Sequence, residues 1–403
     1  MSLTTLFMDF NAYFASVEQQ LQPELRHQPV AVVAVNTDST CCIAVSYEAR
    51  YFDIKTGTHV GRARKMCPKL RIVEARPAVY VRYHHAIVET VESCLPVEAV
   101  HSIDEISCRL LGTEQEPGRA VDIAYQIKQA LRERIGKFIR CSIGLGPNRF
   151  LAKVATKMQK PDGLVVITPE ELPNKLYSLA LDDLPGIGSQ MLKRLNRHGV
   201  TTVQQLCEQS EKRLVEIWHS VLGELWWHWL RGHDLPESPT CRRTVGHSHV
   251  LPPGLRNDAD ARAVMVRLIH KAAARMRDLN YWARKLLVHV SFLPRGSWTD
   301  QAPLGLCQDT LTMLEAFGKL WVERPEGTPL QVGVMLCELI PGCSATGPLF
   351  PAEQNRIQLA HAVDDLNAKF GSHTVYFGGM HGAQGTAPMR ISYTSIPDPD
   401  FPA

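Results

Sequence analysis

Three carboxylates stand where they could do chemistry. Asp9 closes an apolar run from Thr4 to Phe10, and the pair Asp104–Glu105 sits between two others, Val97–Ile103 and Glu105–Leu110. A carboxylate at the end of an apolar strand must be paired, solvated or bound to a cation, because an isolated buried charge is too costly. Three of them converging on one face repel unless positive charge neutralises them. Hard oxygen donors in that number suit Mg²⁺, which keeps water and substrate phosphate in its other positions. Two such ions about 3.5–4 Å apart can activate a hydroxyl nucleophile and steady a leaving pyrophosphate. The same residues also read as plain structure: Asp9 and Asp104 can cap turns, and Glu105 can be a solvated strand-edge residue.

Elements must bring these residues together. Thr4–Phe10 reads as a short buried strand and Phe14–Gln20 as a helix. Pro29–Val35 and Cys41–Val45 are β-branched runs around the turn cluster Asn36-Thr-Asp-Ser, the pattern of a hairpin. Val81–Cys94 has helical spacing, and the runs flanking Asp104–Glu105 read as two strands with a tight connection. Val121, Ala124, Ile127, Leu131 and Ile135 mark an amphipathic helix that stops at Gly136. Ile139–Leu145 follows as a strand, Asn148–Met158 as a helix carrying Lys153 and Lys157, and Leu164–Ile167 as a strand. This order predicts a split βαβ sheet with helices on one face, interrupted by an insertion from Phe14 to about Pro77.

The stretch Glu170–Gly232 is helical in pattern and contains Leu184-Pro-Gly-Ile-Gly188. A proline-rich linker, Asp234–Thr240, leads to a second α/β unit: helix Ala261–Leu279, strand Lys285–Phe292, helix Thr310–Trp321 and strand Gln331–Leu339. Helix Ile357–Phe370 follows, and the Gly- and Pro-rich remainder to Ala403 is expected to be mobile.

Composition narrows the class. The 403 residues are 45% hydrophobic and 21% charged, as in ordinary globular chains, and the length suits two to four domains. The net charge is only +3, but residues 242–300 hold eleven Lys or Arg against four Asp, a local balance of +7 that could neutralise phosphates or form a solvated face. Eleven scattered cysteines without a C-x-x-C argue against zinc clusters and a disulfide framework and suit a reducing cytoplasm. No basic–apolar leader and no long apolar run is present, so neither a secretion signal nor a membrane span is expected.

Six stretches in order carry a family likeness. Met8-Asp-Phe-Asn-Ala-Tyr-Phe-Ala-Ser-Val-Glu18 resembles the opening motif of the Y-family DNA polymerases. Ser46-Tyr-Glu-Ala-Arg50 is similar to their triphosphate-contacting segment and Ser102-Ile-Asp-Glu105 to their second acidic motif. Ser142-Ile-Gly-Leu-Gly-Pro-Asn-Arg-Phe-Leu-Ala-Lys-Val-Ala155 and Lys160-Pro-Asp-Gly163 resemble the third palm motif, and Pro185-Gly-Ile-Gly188 falls where the thumb has a turn. The resemblance covers residues 1 to about 340. It implies an α+β multidomain, right-hand polymerase: ferredoxin-like palm (1–13 and 78–167), small fingers (14–77), helical thumb (168–233), linker (234–243) and C-terminal α/β little finger (244–375), with 376–403 a tail of unassigned role.

The likeness further implies template-directed, translesion DNA synthesis. A primer 3′-hydroxyl would take up dNMP by a two-metal mechanism, at low fidelity and without proofreading. It assigns two Mg²⁺, with Mn²⁺ able to substitute, to Asp9, Asp104, Glu105 and the Phe10 backbone carbonyl. Tyr47 and Arg50 would hold the triphosphate, as suits a hydroxyl donor and a planar guanidinium fork, and Lys160 would reach it as a point charge. Phe14 would be the steric gate against ribose, with Tyr13 beside it; a one-residue register error would exchange them. Outside the likeness, Tyr47 and Arg50 read as a helix-start surface pair, and both rings read as core. Gly186 and Gly188 would let the thumb turn approach DNA phosphate, although an ordinary helix-joining turn looks the same. Trp226, Trp227 and Trp229 read as core. Arg242, Arg243 and Arg284 would grip the template backbone without reading sequence. The implied partners are primer–template DNA, dNTP and other repair or replication proteins, for a cytoplasmic monomer with no membrane contact.

Departures from the family pattern are few. Asn11 stands where many relatives have a second Asp, and Ala44 where some have a hydroxyl residue. Gly347-Pro-Leu-Phe350 only partly matches a sliding-clamp peptide, so clamp binding is not expected. Tyr376-Phe-Gly-Gly379 has no reading. Two rivals remain: a catalytically silent DNA-binding subunit of a bypass complex, which would lack the carboxylates, and a palm-fold nucleotide cyclase, which would lack the thumb turn and the basic domain.

Overall fold

The structure, a computed structural model, describes residues 2–38, 40–236 and 242–386. Ser39 of the turn cluster, part of the proline-rich linker and the Gly- and Pro-rich stretch beyond 386 lie outside the described residues. Two compact units divide the chain, one reaching residue 237 and the other beginning at 238.

The first unit opens with β1 (Thr5–Phe10) and α1 (Tyr13–Leu21). Next come β2 (Val30–Val33), β3 (Cys42–Val45), the one-turn α2 (Tyr47–Arg50), α3 (Val60–Met66) and β4 (Arg71–Glu74). The chain continues through α4 (Pro77–Glu92), β5 (Val97–Ser102), β6 (Glu105–Arg109), α5 (Pro117–Arg134), β7 (Cys141–Gly146), α6 (Arg149–Met158) and β8 (Leu164–Val166). The main sheet has the order β5-β6-β1-β7-β8. β1 runs antiparallel to both neighbours, and β7 parallel to β8.

Strand alternation decides where the carboxylates go. Leu6, Met8 and Phe10 point into one core with Ile143, Leu145, Ile106 and Cys108, beneath apolar residues of α4 and α5. Asp9, Glu105 and Ser142 therefore share the opposite face, with Asp9 registered between Glu105 on β6 and Ser142 on β7. Helices were expected on one face only; α6 instead covers this second face. It can do so because β7 offers glycines: a Cβ on Gly144 would lie 2.0 Å from the Ala152 carbonyl oxygen, and one on Gly146 2.7 Å from the Ala152 nitrogen. Asn148 caps α6 by accepting from Leu151 N–H at 2.8 Å.

The insertion between α1 and α4 forms its own three-stranded sheet, β3-β2-β4, with a small core of Ala31, Cys42, Val45, Ala49, Ile54 and Cys67. Its strand β4, parallel to β2, had no signal in the sequence reading. The fully buried Glu18 carboxylate fastens α1 to the start of α4: Arg76 Nε donates to it at 3.1 Å and the Tyr80 hydroxyl at 2.7 Å. Four short helices complete the unit: α7 (Ser189–Arg197), α8 (Val203–Cys207), α9 (Glu211–Trp218) and α10 (Leu222–Trp229). They share a core with Leu151 and Val154 of α6; of the three tryptophans expected in the core, Trp226 is buried in it beside Trp218, while Trp227 and Trp229 are half-buried and pack against it.

The second unit comprises β9 (Thr244–Val250), α11 (Asp258–Asp278), β10 (Tyr281–Leu293), β11 (Ser297–Cys307), α12 (Thr310–Glu323), β12 (Thr328–Cys337), the two-residue β13 (Ile340–Pro341) and α13 (Pro351–Phe370). Its antiparallel sheet has the order β11-β10-β12-β9. Leu286, Val288, Val290, Val332, Val334 and Leu336 face α11 and α12 in one core. Arg277, itself buried, holds α13: it donates to Asp364 through Nε at 2.5 Å and Nη2 at 2.9 Å, and to the Gln308 carbonyl at 2.9 Å. Residues 376–386 depart from the expected mobile tail. Met380 and Ala383 are buried in the core, and Arg267 donates to the carbonyls of Ala383 (2.7 Å) and Gln384. A buried methionine and a guanidinium fork give this glycine-rich stretch the anchors that its composition hides.

Candidate active site

The tight connection expected at Asp104–Glu105 is a two-residue turn, Ile103–Asp104, between paired Ser102 and Glu105. Phe10 N–H donates to the Asp104 carbonyl at 2.8 Å, locking the end of β1 to that turn. Asp9, Asp104 and Glu105 thus meet at one end of the main sheet. Each carboxylate has its own partner: Lys160 Nζ lies 2.5 Å from Asp9, the Ser102 hydroxyl 2.6 Å from Asp104, and Lys153 Nζ 2.7 Å from Glu105. Among the described residues, no three His, Cys, Asp or Glu side chains are drawn together tightly enough to hold a metal ion as they stand.

Burial pushes the Asp9 carboxyl above its usual range, Lys160 opposes that shift and Glu105 adds to it. Burial likewise raises Asp104; the Ser102 hydrogen bond opposes, and the charges of Asp9 and Glu105 add. Two desolvated carboxylates beside a third form an oxygen-only donor set that suits a hard divalent cation. The residues present therefore fit such ions.

A cleft of about 240 Å³ opens beside the carboxylates. Asp9, Phe10, Tyr13, Phe14, Tyr47, Arg50, Asp104 and Lys160 all line it, with Ala44 and Thr56. These residues come from β1, α1, the inserted sheet, the acidic turn and the segment after α6. The Arg50 guanidinium lies 4.4 Å from the centre of the Tyr47 ring. The Tyr47 hydroxyl is buried and makes no hydrogen bond of ordinary geometry, so it is a polar atom in need of an acceptor. Ser46 caps α2 by accepting from Ala49 N–H at 3.3 Å, which fixes Tyr47 and Arg50 on the turn that faces the cleft.

Tyr13 and Phe14 are held differently. The Tyr13 hydroxyl donates to the Tyr80 carbonyl at 2.7 Å, whereas the Phe14 ring stacks on the Tyr80 ring at 4.5 Å and 15°. Both rings line the cleft.

The other predicted residues are not among those that line the cleft. Gly186 has φ +97°, a left-handed conformation that suits glycine, and a Cβ there would meet Trp226 at 3.3 Å. Gly188 is the N-cap of α7, whose first turn carries no acid. In the second unit Arg242, Arg243 and Arg284 are exposed. Arg284 lies close enough to Glu338 to help hold its carboxyl low, after Lys285, the larger cause. Lys153 escaped the sequence reading as a partner of Glu105, because only the crossing of α6 over the second sheet face brings it there. Thr56 escaped too: it lies six residues beyond the Ser46–Arg50 stretch and outside any motif, yet it lines the cleft, as Ala44 does.

Comparison with known proteins matches the chain over both units. Residues 8–157 match the impB/mucB/samB family, and residues 242–348 match that family's C-terminal domain. A DNA polymerase IV of Moorella thermoacetica is 31% identical over 381 residues, 92% of this chain and 94% of the relative. A DNA polymerase IV 2 of Mesorhizobium japonicum is 31% identical over 315 residues, 77% of this chain and 74% of the relative. Among solved structures, the Y-family DNA polymerase chimera Dbh-Dpo4(243-245)-Dbh aligns with TM-score 0.70 and 24% identity, over 84% of this chain and 99% of its own. An insertion ternary complex of Dbh DNA polymerase aligns with TM-score 0.56 at the same identity and coverage.

Proposed function

Because the chain belongs to the Y family of DNA polymerases, we propose that Asp9, Asp104 and Glu105 form its polymerising centre and that the adjoining cleft seats the incoming nucleotide. The protein is a translesion DNA polymerase with the right-hand architecture of that family. Neither the silent-subunit reading nor the cyclase reading finds support, since all three carboxylates are present and polymerases match over most of the chain. The observation that supports the site is the cleft itself, which gathers basic, aromatic and acidic residues from separate segments.

Divalent-metal dependence comes with the family. We assign two ions, Mg²⁺ with Mn²⁺ as substitute, to Asp9, Asp104, Glu105 and the Phe10 carbonyl. When bound, they would supply activation of the primer 3′-hydroxyl and charge for the leaving pyrophosphate. The protein's own groups do the rest. Arg50, stacked on Tyr47, offers its fork to the triphosphate, and the unsatisfied Tyr47 hydroxyl donates to the same oxygens. Lys160 pairs with Asp9 and lines the cleft with it, and it holds a further phosphate oxygen as a point charge. Phe14, backed by Tyr80, fills the space that a ribose 2′-hydroxyl would need. Tyr13 is the supporting ring, since its hydroxyl is committed to the backbone.

The inserted three-stranded sheet is small, so we expect little checking of base-pair shape and low fidelity. We assign palm, fingers and thumb within the first unit and the little finger to the second, with its body continuing to residue 386. Primer–template DNA would be gripped by the turn at Gly186 and Gly188 and by Arg242, Arg243 and Arg284. Among the described residues no helix is long and apolar enough to cross a membrane. Primer extension across an abasic template position, with Asp9→Asn as control, tests the proposal. Extension by the intact protein and none by the variant is expected; equal extension by both would reject the site.

A further inference from the structure

Asn11 is 2% exposed and follows the metal-facing strand by two residues from Asp9. Its side chain is fully used. Oδ1 accepts from the backbone N–H of Asp162 at 2.7 Å, while Nδ2 donates to the Ser142 hydroxyl at 3.1 Å and to the Asp9 carbonyl at 3.3 Å. The backbone partners fix which end of the amide is which: an N–H demands the oxygen and a carbonyl demands the nitrogen. Asn11 therefore bridges β1 to the Lys160–Gly163 loop, 151 residues away in sequence.

That loop needs anchoring. Asp162 has φ +57°, a strained conformation for a residue with a Cβ, which persists only where its surroundings over-determine it. Lys128 of α5 grips the same residue from the other side, donating to the Asp162 carbonyl at 2.8 Å and to its carboxylate at 2.5 Å. The Ser142 hydroxyl ties in the loop's flanks through the Gln159 carbonyl (3.3 Å) and the Gly163 N–H (3.4 Å). Lys160, one end of this clamped segment, is the residue whose ammonium faces both Asp9 and the cleft.

We infer that Asn11 is a positioning residue for nucleotide binding: through the acceptor it offers Asp162 N–H, it holds the Lys160 loop so that the Lys160 ammonium meets the triphosphate. The inference rests on the assignment of Lys160 to the triphosphate. The working atom is an acceptor oxygen, which aspartate keeps while losing the 3.3 Å donation to the Asp9 carbonyl, whereas an apolar side chain loses both. Ser142 adapts by turning its hydroxyl, which already lies 3.3 Å from Oδ1.

The test is steady-state single-nucleotide insertion by the full chain, titrating dNTP at saturating primer–template and Mg²⁺. Lys160→Ala should raise the dNTP KM about tenfold, the worth of one charge-assisted contact. Asn11→Ala should raise it roughly three- to tenfold with a smaller change in kcat, and Asn11→Asp should return it to within about twofold of the unmodified protein. In the Lys160→Ala background, Asn11→Ala should add less than about twofold, because the two side chains act through one contact. An Asn11→Ala effect of equal size in both backgrounds overturns the inference and leaves the Lys160 assignment standing, as does an Asn11→Asp variant as damaged as Asn11→Ala. An unchanged KM for Lys160→Ala overturns the assignment of Lys160 and the inference with it. If Asn11→Ala does not fold, Lys128→Met removes the opposite anchor; non-additivity with Lys160→Ala supports the clamped-loop account and additivity overturns it.

Discussion

In the proposed role of sugar gate, Phe14 would set substrate choice without touching the reacting atoms. Its face is committed to Tyr80 at 4.5 Å, so it cannot swing aside to admit an extra hydroxyl without losing that stack. Phe14→Ala should therefore weaken discrimination against ribonucleotides by at least roughly tenfold, read as the ratio of kcat/KM for dNTP and rNTP, while insertion of dNTP continues. Unchanged sugar selectivity would move the gate to another residue. The choice between Tyr13 and Phe14 was open in the sequence, because a strand-to-helix junction hides its register. It narrows once the Tyr13 hydroxyl is seen donating to the Tyr80 backbone. Asp9, Asp104 and Glu105 were legible as a possible set from the apolar runs that flank them, and took on a metal-binding reading only through the family resemblance. Their pairing with Lys160 and Lys153 was not, since those contacts depend on how distant segments cross.

The crossing of α6 over β7 is the element that converts a sheet into a site. Gly144 permits it, since any Cβ there would intrude on the Ala152 backbone. Gly144→Ala should push α6 outward and cost about 1–3 kcal/mol, as overpacking does, lowering the melting temperature in a thermal scan. Because Lys153 rides on α6, the same change should also loosen its 2.7 Å pairing with Glu105. A variant that melts like the unmodified protein would mean that the helix tolerates the displacement. Most helices of the first unit could be placed from apolar spacing, but α4 begins earlier than its periodicity suggests because Pro77 occupies its first turn. Strands were harder. β9 (Thr244–Val250) carries two histidines and a glycine, and β11 contains Asp300, Pro303 and Gly305. Such residues are tolerated at the two sheet edges that these strands occupy, and they erase the alternation by which a strand is recognised.

At the scale of the whole molecule, both units bury histidines that make them sensitive to acid; in the first unit burial lowers His101 to about 4, with Arg149 adding to the effect. In the second unit burial lowers His247 and His270 to about 4, with Lys271 and Arg275 adding to the effect at His247 and Arg277 at His270. A histidine unfolds to an ordinary value near 6.5, so between about 6.5 and 4 the unfolded chain binds more protons and stability rises with pH. The second unit should lose on the order of 2 kcal/mol per histidine between pH 7 and pH 5, seen as an earlier thermal transition. Substituting His270→Gln should flatten that dependence, and a transition that ignores pH in this window would contradict the burial argument. The unit boundary was legible as a proline-rich segment, whereas the anchoring of α13 through Arg277 and Asp364 was not, because it joins residues 87 positions apart. The three carboxylates of the first unit are proposed to act through divalent metal. The most direct test is the single-turnover rate of nucleotide insertion against Mg²⁺ concentration, for the intact protein and for Asp104→Asn. The account predicts a saturable Mg²⁺ dependence and a variant slower by roughly 10²–10³-fold with primer–template binding unchanged; a variant that matches the intact protein at every Mg²⁺ concentration would contradict it.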